Sequence, residues 1–141
     1  MKLIITSLCL LFTVAGLAQS DKDAVIAAAN DYIDLFYNGD TTKLHKSISP
    51  NIIKYGYHRH KDSTNYAQGR PMSFQQMKNL ALQLKSNTTV DKSIRKVEVL
   101  DVLDKTAAAK VTAWWGTDYL QLAKIDGKWM ILHILWQSPS R

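Results

Sequence analysis

Between residues 21 and 38, Val25, Ala29, Tyr32, Ile33 and Phe36 recur every three or four places. That spacing gathers them into one apolar stripe and predicts an amphipathic helix. Ser20 or Asp21 can cap its start, and Asn38-Gly39 can end it. Asp40 suits the cap of a short second helix over 41–47, which Pro50 closes off. The segment 51–60, NIIKYGYHRH, is rich in β-branched and aromatic residues and predicts a strand. Residues 61–70 are polar and read as a loop. Ser73 and Gln76 stand at capping-box spacing, and Phe74, Met77, Leu80, Ala81 and Leu84 continue at helical spacing, so a third helix is expected over 73–86. Four strands follow, near 94–103, 106–115, 118–125 and 128–137, with turns at Asp104-Lys105, Gly116 and Asp126-Gly127. Asp126-Gly127 is the strongest hairpin signal, because both central residues of that turn favour positive φ. Helices first and strands afterwards predict an α+β domain, with three helices packed on one face of an antiparallel sheet.

The last strand is apolar on both faces. Trp129, Ile131, His133 and Leu135 alternate with Met130, Leu132, Ile134 and Trp136. A sheet with helices on one side should keep one wet face. A second copy is therefore expected on the other face, giving a homodimer through the sheet, with the C-terminal tail as the alternative cover; a homodimeric interaction domain without ligand is one function this strand would suit.

The N-terminus has a different pattern. Lys2 precedes an apolar run to Val14, and Ala15, Gly16, Leu17 and Ala18 follow. This is the form of a secretory signal peptide over 1–18, cut near Ala18. The run is too short for a membrane anchor. The expectation is an exported protein, periplasmic or secreted, whose residues 19–141 form a single domain. Its 46% hydrophobic and 21% charged composition suits one ordinary globular core. Cys9, the one cysteine, goes with the leader, which excludes a cysteine nucleophile, a disulfide and thiolate metal ligation from the exported chain. Losing Lys2 lowers the net charge from +6 to +5. Lys and Arg are scattered without a nucleic-acid motif, so solvated faces explain them.

The segment DYLQLAKIDGKWMILHILWQ, residues 118–137, resembles the closing hairpin of the putative lumazine-binding family. There an aspartate-tyrosine pair leads a strand, a Lys-x-Asp-Gly-Lys-Trp turn follows, and the last strand ends in an aromatic. YIDLFYNGD, residues 32–40, resembles that family's tyrosine-rich helix with its glycine and acidic cap. The whole element order is similar to the cone-shaped nuclear transport factor 2-like fold. This resemblance implies a curved sheet around a cone-shaped hollow, and the family name implies pteridine binding. The superfamily also includes isomerases, dehydratases, transport adaptors and assembly domains, so the fold alone does not name an activity.

The first helix and the concave sheet face would line such a cone, with Tyr32, Phe36, Tyr55, Tyr57, Trp114, Trp129 and His133 as the expected neighbours of a small apolar or aromatic ligand. In several members of the superfamily a polar residue at the place of His133 points inward. An isomerase or dehydratase without cofactor would then pair His133 with Asp118 or Asp31, and Tyr32 would steady an enolate-like oxygen. His58 and His60 are two apart on the expected strand and share a face. A third metal ligand from His45, His133 or Asp62 has no local support, so no metal site is expected. Asn87-Thr88-Thr89 is a glycosylation sequon. No serine elbow and no phosphate loop occur, and nothing in the sequence calls for a cofactor.

Overall fold

The structure is a computed structural model that describes the backbone of residues 3–85 and 91–140, and the side chains from Gln19 onward within those ranges. The sequon at 87–89 lies outside the described residues. The elements are α1 (Leu3–Asn38), α2 (Thr42–Ser47), β1 (Ile48–Tyr57), β2 (Arg70–Met72), α3 (Phe74–Leu84), β3 (Arg95–Val102), β4 (Thr106–Ala113), β5 (Gly116–Ile125) and β6 (Lys128–Gln137). The strands form one curved, unclosed sheet in the order β2-β1-β6-β5-β4-β3. Every neighbouring pair is antiparallel except β1 with β6, which run parallel. The chain enters the sheet at β1, leaves through α3 and three further strands, and returns beside β1 at the end.

The apolar stripe of α1 does what its spacing demands: Val25, Ala29, Tyr32, Ile33 and Phe36 are all buried, and the helix packs on β3, β4 and β6. Its start differs from expectation. The helix runs on through Ser20 and Asp21, so neither caps it. The backbone is already helical from Leu3, so it enters Ser20 in mid-helix. Asp21 serves as a tether instead. Its carboxylate accepts from Lys124 Nζ at 2.6 Å and Trp129 Nε1 at 3.1 Å, fastening α1 to the tip of the β5–β6 hairpin. Those hydrogen bonds, Lys124 first, hold the Asp21 carboxyl below its usual range.

Asp31, on the side of α1 facing α2, is buried and accepts from Lys43 (2.8 Å), Lys46 (2.9 Å) and Ser47 (2.7 Å). Burial pushes this carboxyl up, but the three donors outweigh burial and hold it down. It is a joint between two helices, with no free valence for acid–base work. The N-cap of α2 is Thr41, which makes no side-chain cap, so the expected Asp40 cap falls one residue short; Asp40 instead accepts from the Thr42 backbone N–H at 3.2 Å. The Ser73–Gln76 capping box opens α3. Asp126 and Gly127 take φ 49° and 77°, the turn expected of them.

Two irregularities shape the sheet. The β1–β6 register shifts between Ile48 and Ile53, around Pro50. The β5–β6 register places Gln121 opposite His133 but Leu122 opposite Ile131, leaving Leu132 as an extra residue on β6. A bulge of this kind bends a strand and reverses which side chains face inward beyond it. Before it, Trp129 and Ile131 are buried; after it, Ile134 is buried and His133 and Leu135 are exposed. The double apolarity of this strand is therefore partly one inward face that changes parity at Leu132.

Candidate ligand-binding pocket

An open pocket of about 640 Å³ lies between the sheet and α3. Phe36 from α1, Lys54 from β1, Leu80 and Leu84 from α3, and Trp136 from β6 form much of its wall. Trp114 and Trp115 complete it from the two-residue turn that joins β4 to β5. The segment 58–61, His-Arg-His-Lys, also borders it.

β1 explains the position of Lys54. Its side chains alternate, with Ile52, Lys54 and Gly56 inward and Ile53, Tyr55 and Tyr57 outward. Gly56 stands opposite Trp136 in the parallel pair. A Cβ on Gly56 would lie 2.0 Å from the Trp136 ring, so the bare glycine lets that indole lie flat against β1.

Behind the wall lies a buried polar cluster. Tyr32 donates to Asp118 Oδ1 at 2.7 Å, and Lys54 Nζ stands 3.4 Å from the same oxygen while donating to the Tyr32 hydroxyl. Trp115 Nε1 donates to the other oxygen of Asp118. Tyr32 and Asp118 are fully buried and Lys54 nearly so. The Lys54 ammonium also sits 5.1–5.5 Å from the ring centroids of Tyr32, Phe36 and Trp136, a cation–π box. Burial drives the Lys54 amine below its usual range despite the pull of Asp118. Burial first, then the Asp118 charge, drives the Tyr32 phenol well above its own. Both effects hold the tyrosine neutral at ordinary pH and make it a donor to the carboxylate.

One wall group has no partner. Among the described residues, Trp114 Nε1 is the buried side-chain nitrogen or oxygen without a hydrogen bond. A buried donor left unpaired costs about 1–3 kcal/mol, and such groups are uncommon.

The sequence expectations divide into three groups. Phe36 and Trp114 border the pocket, and Tyr32 and Asp118 join just behind it. Trp129 is buried at the far end of the sheet against Asp21. Tyr55, Tyr57 and His133 require correction. They lie on the outer face and are exposed, because β1 turns its tyrosines outward and the Leu132 bulge turns His133 the same way. His133 Nδ1 faces Gln121 Oε1 at 3.0 Å, far from the Tyr32–Asp118 pair in the layering of the sheet. An acid–base dyad of His133 with Asp118 or Asp31 therefore has no geometry here. His58 and His60 lie past the end of β1 rather than on it, with ring centroids 4.8 Å apart. No group of three potential metal ligands occurs among the described residues.

The sequence reading missed Lys54, Trp115 and Trp136 as pocket residues. A signal for Lys54 existed, since it shares strand parity with Ile52 and Gly56.

The family model described as Putative lumazine-binding matches residues 20–137. The chain belongs to that family. No curated protein matches it. Among solved structures, it is similar to a nuclear transport factor 2-like protein of unknown function from Silicibacter pomeroyi, with TM-score 0.64 and 15% identity over 85% of this chain and 97% of that one. A second such protein, from Shewanella baltica, gives TM-score 0.62 and 16% identity over 86% and 96%. A domain of unknown function with a cystatin-like fold from Nostoc punctiforme gives 0.57 and 16% over 86% and 79%. At these identities the likeness establishes the nuclear transport factor 2-like fold of this lumazine-binding-family member and leaves its ligand open.

Proposed function

We propose that this member of the putative lumazine-binding family is an exported small-molecule-binding domain that takes a flat, apolar or aromatic ligand between Trp114, Trp115 and Trp136. One observation carries the reading: an open pocket of about 640 Å³ is walled by these indoles. The size falls within the usual range of small-molecule sites, about 300–1,000 Å³. The indole faces would stack on the rings of such a ligand.

Filling the pocket tests this. Leu80→Trp adds bulk to the pocket wall and is expected to abolish the fluorescence enhancement of N-phenyl-1-naphthylamine, a neutral flat probe, while the protein stays folded by circular dichroism. Undiminished binding would place the probe elsewhere and defeat the reading.

Two further parts of the proposal concern the whole molecule. Cleavage after Ala18 is supported by the leader pattern and by a family match that begins at residue 20. A homodimer through the sheet is supported by the exposed apolar side chains of its outer face, Ile53, Tyr55, Tyr119 and Leu135. The intact mass of the exported protein should start at Gln19, and sedimentation should give twice the monomer mass. A retained Met1, or a monomer at high concentration, would remove the respective part.

A further inference from the structure

We propose that the pocket selects an organic anion: a flat apolar body held by the tryptophans, bearing a carboxylate or sulfonate that lies beside Arg59 and Lys61. This rests on the pocket being the ligand site and names the class of ligand it takes.

The basis is charge. Among the described residues, the pocket wall contains Lys54, Arg59 and Lys61 and no Asp or Glu. Lys54 is balanced from behind by Asp118, so the unbalanced charge belongs to the 58–61 segment. The Arg59 guanidinium donates to the Pro139 carbonyl at 2.7 Å and the Ser63 carbonyl at 3.3 Å. Those oxygens aim the guanidinium without neutralising it. Lys61 is exposed and has no carboxylate within ion-pair distance among the described residues. An apolar wall behind such charges strengthens their field at the pocket opening.

A matched pair of probes separates this inference from the one it rests on. 1-Anilinonaphthalene-8-sulfonate and N-phenyl-1-naphthylamine share their rings and differ by the sulfonate. Fluorescence titrations of the purified protein at low salt should show the sulfonate bound about tenfold more tightly, the scale expected of two solvent-screened cations. Lys61→Gln, at an exposed site, should reduce that advantage about threefold. Leu80→Trp should remove both probes. Equal or tighter binding of the neutral probe would overturn the inference while leaving the pocket assignment in place. So would a Lys61→Gln variant with the original ratio, or a sulfonate that still binds to Leu80→Trp. Failure of both probes to bind would overturn the pocket assignment and this inference together.

Discussion

Asp118→Ala is expected to destabilise the domain by about 3–5 kcal/mol, read as a fall in the urea midpoint. The change leaves the Lys54 ammonium buried without its counter-charge and strips an acceptor from Tyr32 and from Trp115. The cause can be isolated. Lys54→Met combined with Asp118→Ala should cost less than Asp118→Ala alone, because the stranded charge goes with the lysine. Simple addition of the two single effects would show that the pair is not coupled. The pH dependence has a definite sign. The folded-state pKa of Lys54 is already depressed by burial, and removing Asp118 removes the group that raises it. Between that value and the unfolded lysine value of about 10.4, the unfolded chain holds more protons, so stability rises with pH. The deficit of Asp118→Ala relative to the parent should therefore shrink as pH climbs from about 7 towards about 10.

Gly116→Ala is the second large effect, at about 3–5 kcal/mol. Gly116 has φ +133°, and a Cβ there would stand 2.0 Å from the Gln137 carbonyl oxygen. Backbone strain and collision with a backbone atom act together, and neither is relieved by turning a side chain. Gly127 is the control. Its φ is +77°, but a Cβ there meets nothing within 4 Å. Gly127→Ala should cost only the left-handed backbone penalty, about 1–2 kcal/mol. Equal losses at the two positions in urea melts would refute the contact argument. Gly116 also follows the Trp114-Trp115 turn directly, so its displacement should weaken probe binding even where the variant remains folded.

The legible parts of this chain were those with regular periodicity. The α1 stripe, the Ser73–Gln76 box and the Asp126-Gly127 turn each carry a local signal that tertiary packing left intact. β2 was not legible, because three residues containing Pro71 are too short for any pattern. Trp114 and Trp115 look like the end of a strand, and only the close pairing of Ala113 with Gly116 makes them a turn. The site was harder to read for a physical reason. On β1 the more apolar set, Ile53, Tyr55 and Tyr57, faces outward, while the inward set includes a lysine. Counting hydrophobic residues selects the wrong face when the buried charge is matched from another strand 64 residues away. His133 was misplaced by Leu132, since alternation cannot reveal a single unpaired residue within a continuous apolar run.

The sheet's failure to close leaves two bare margins, and each is defended. β2 is a three-residue stub carrying Pro71, which lacks a backbone N–H. β3 carries Arg95, Lys96, Glu98 and Asp101 along its length. Such margins resist recruitment of foreign chains in the manner of amyloid growth. Both margins therefore also disfavour rim-to-rim pairing between copies of this chain.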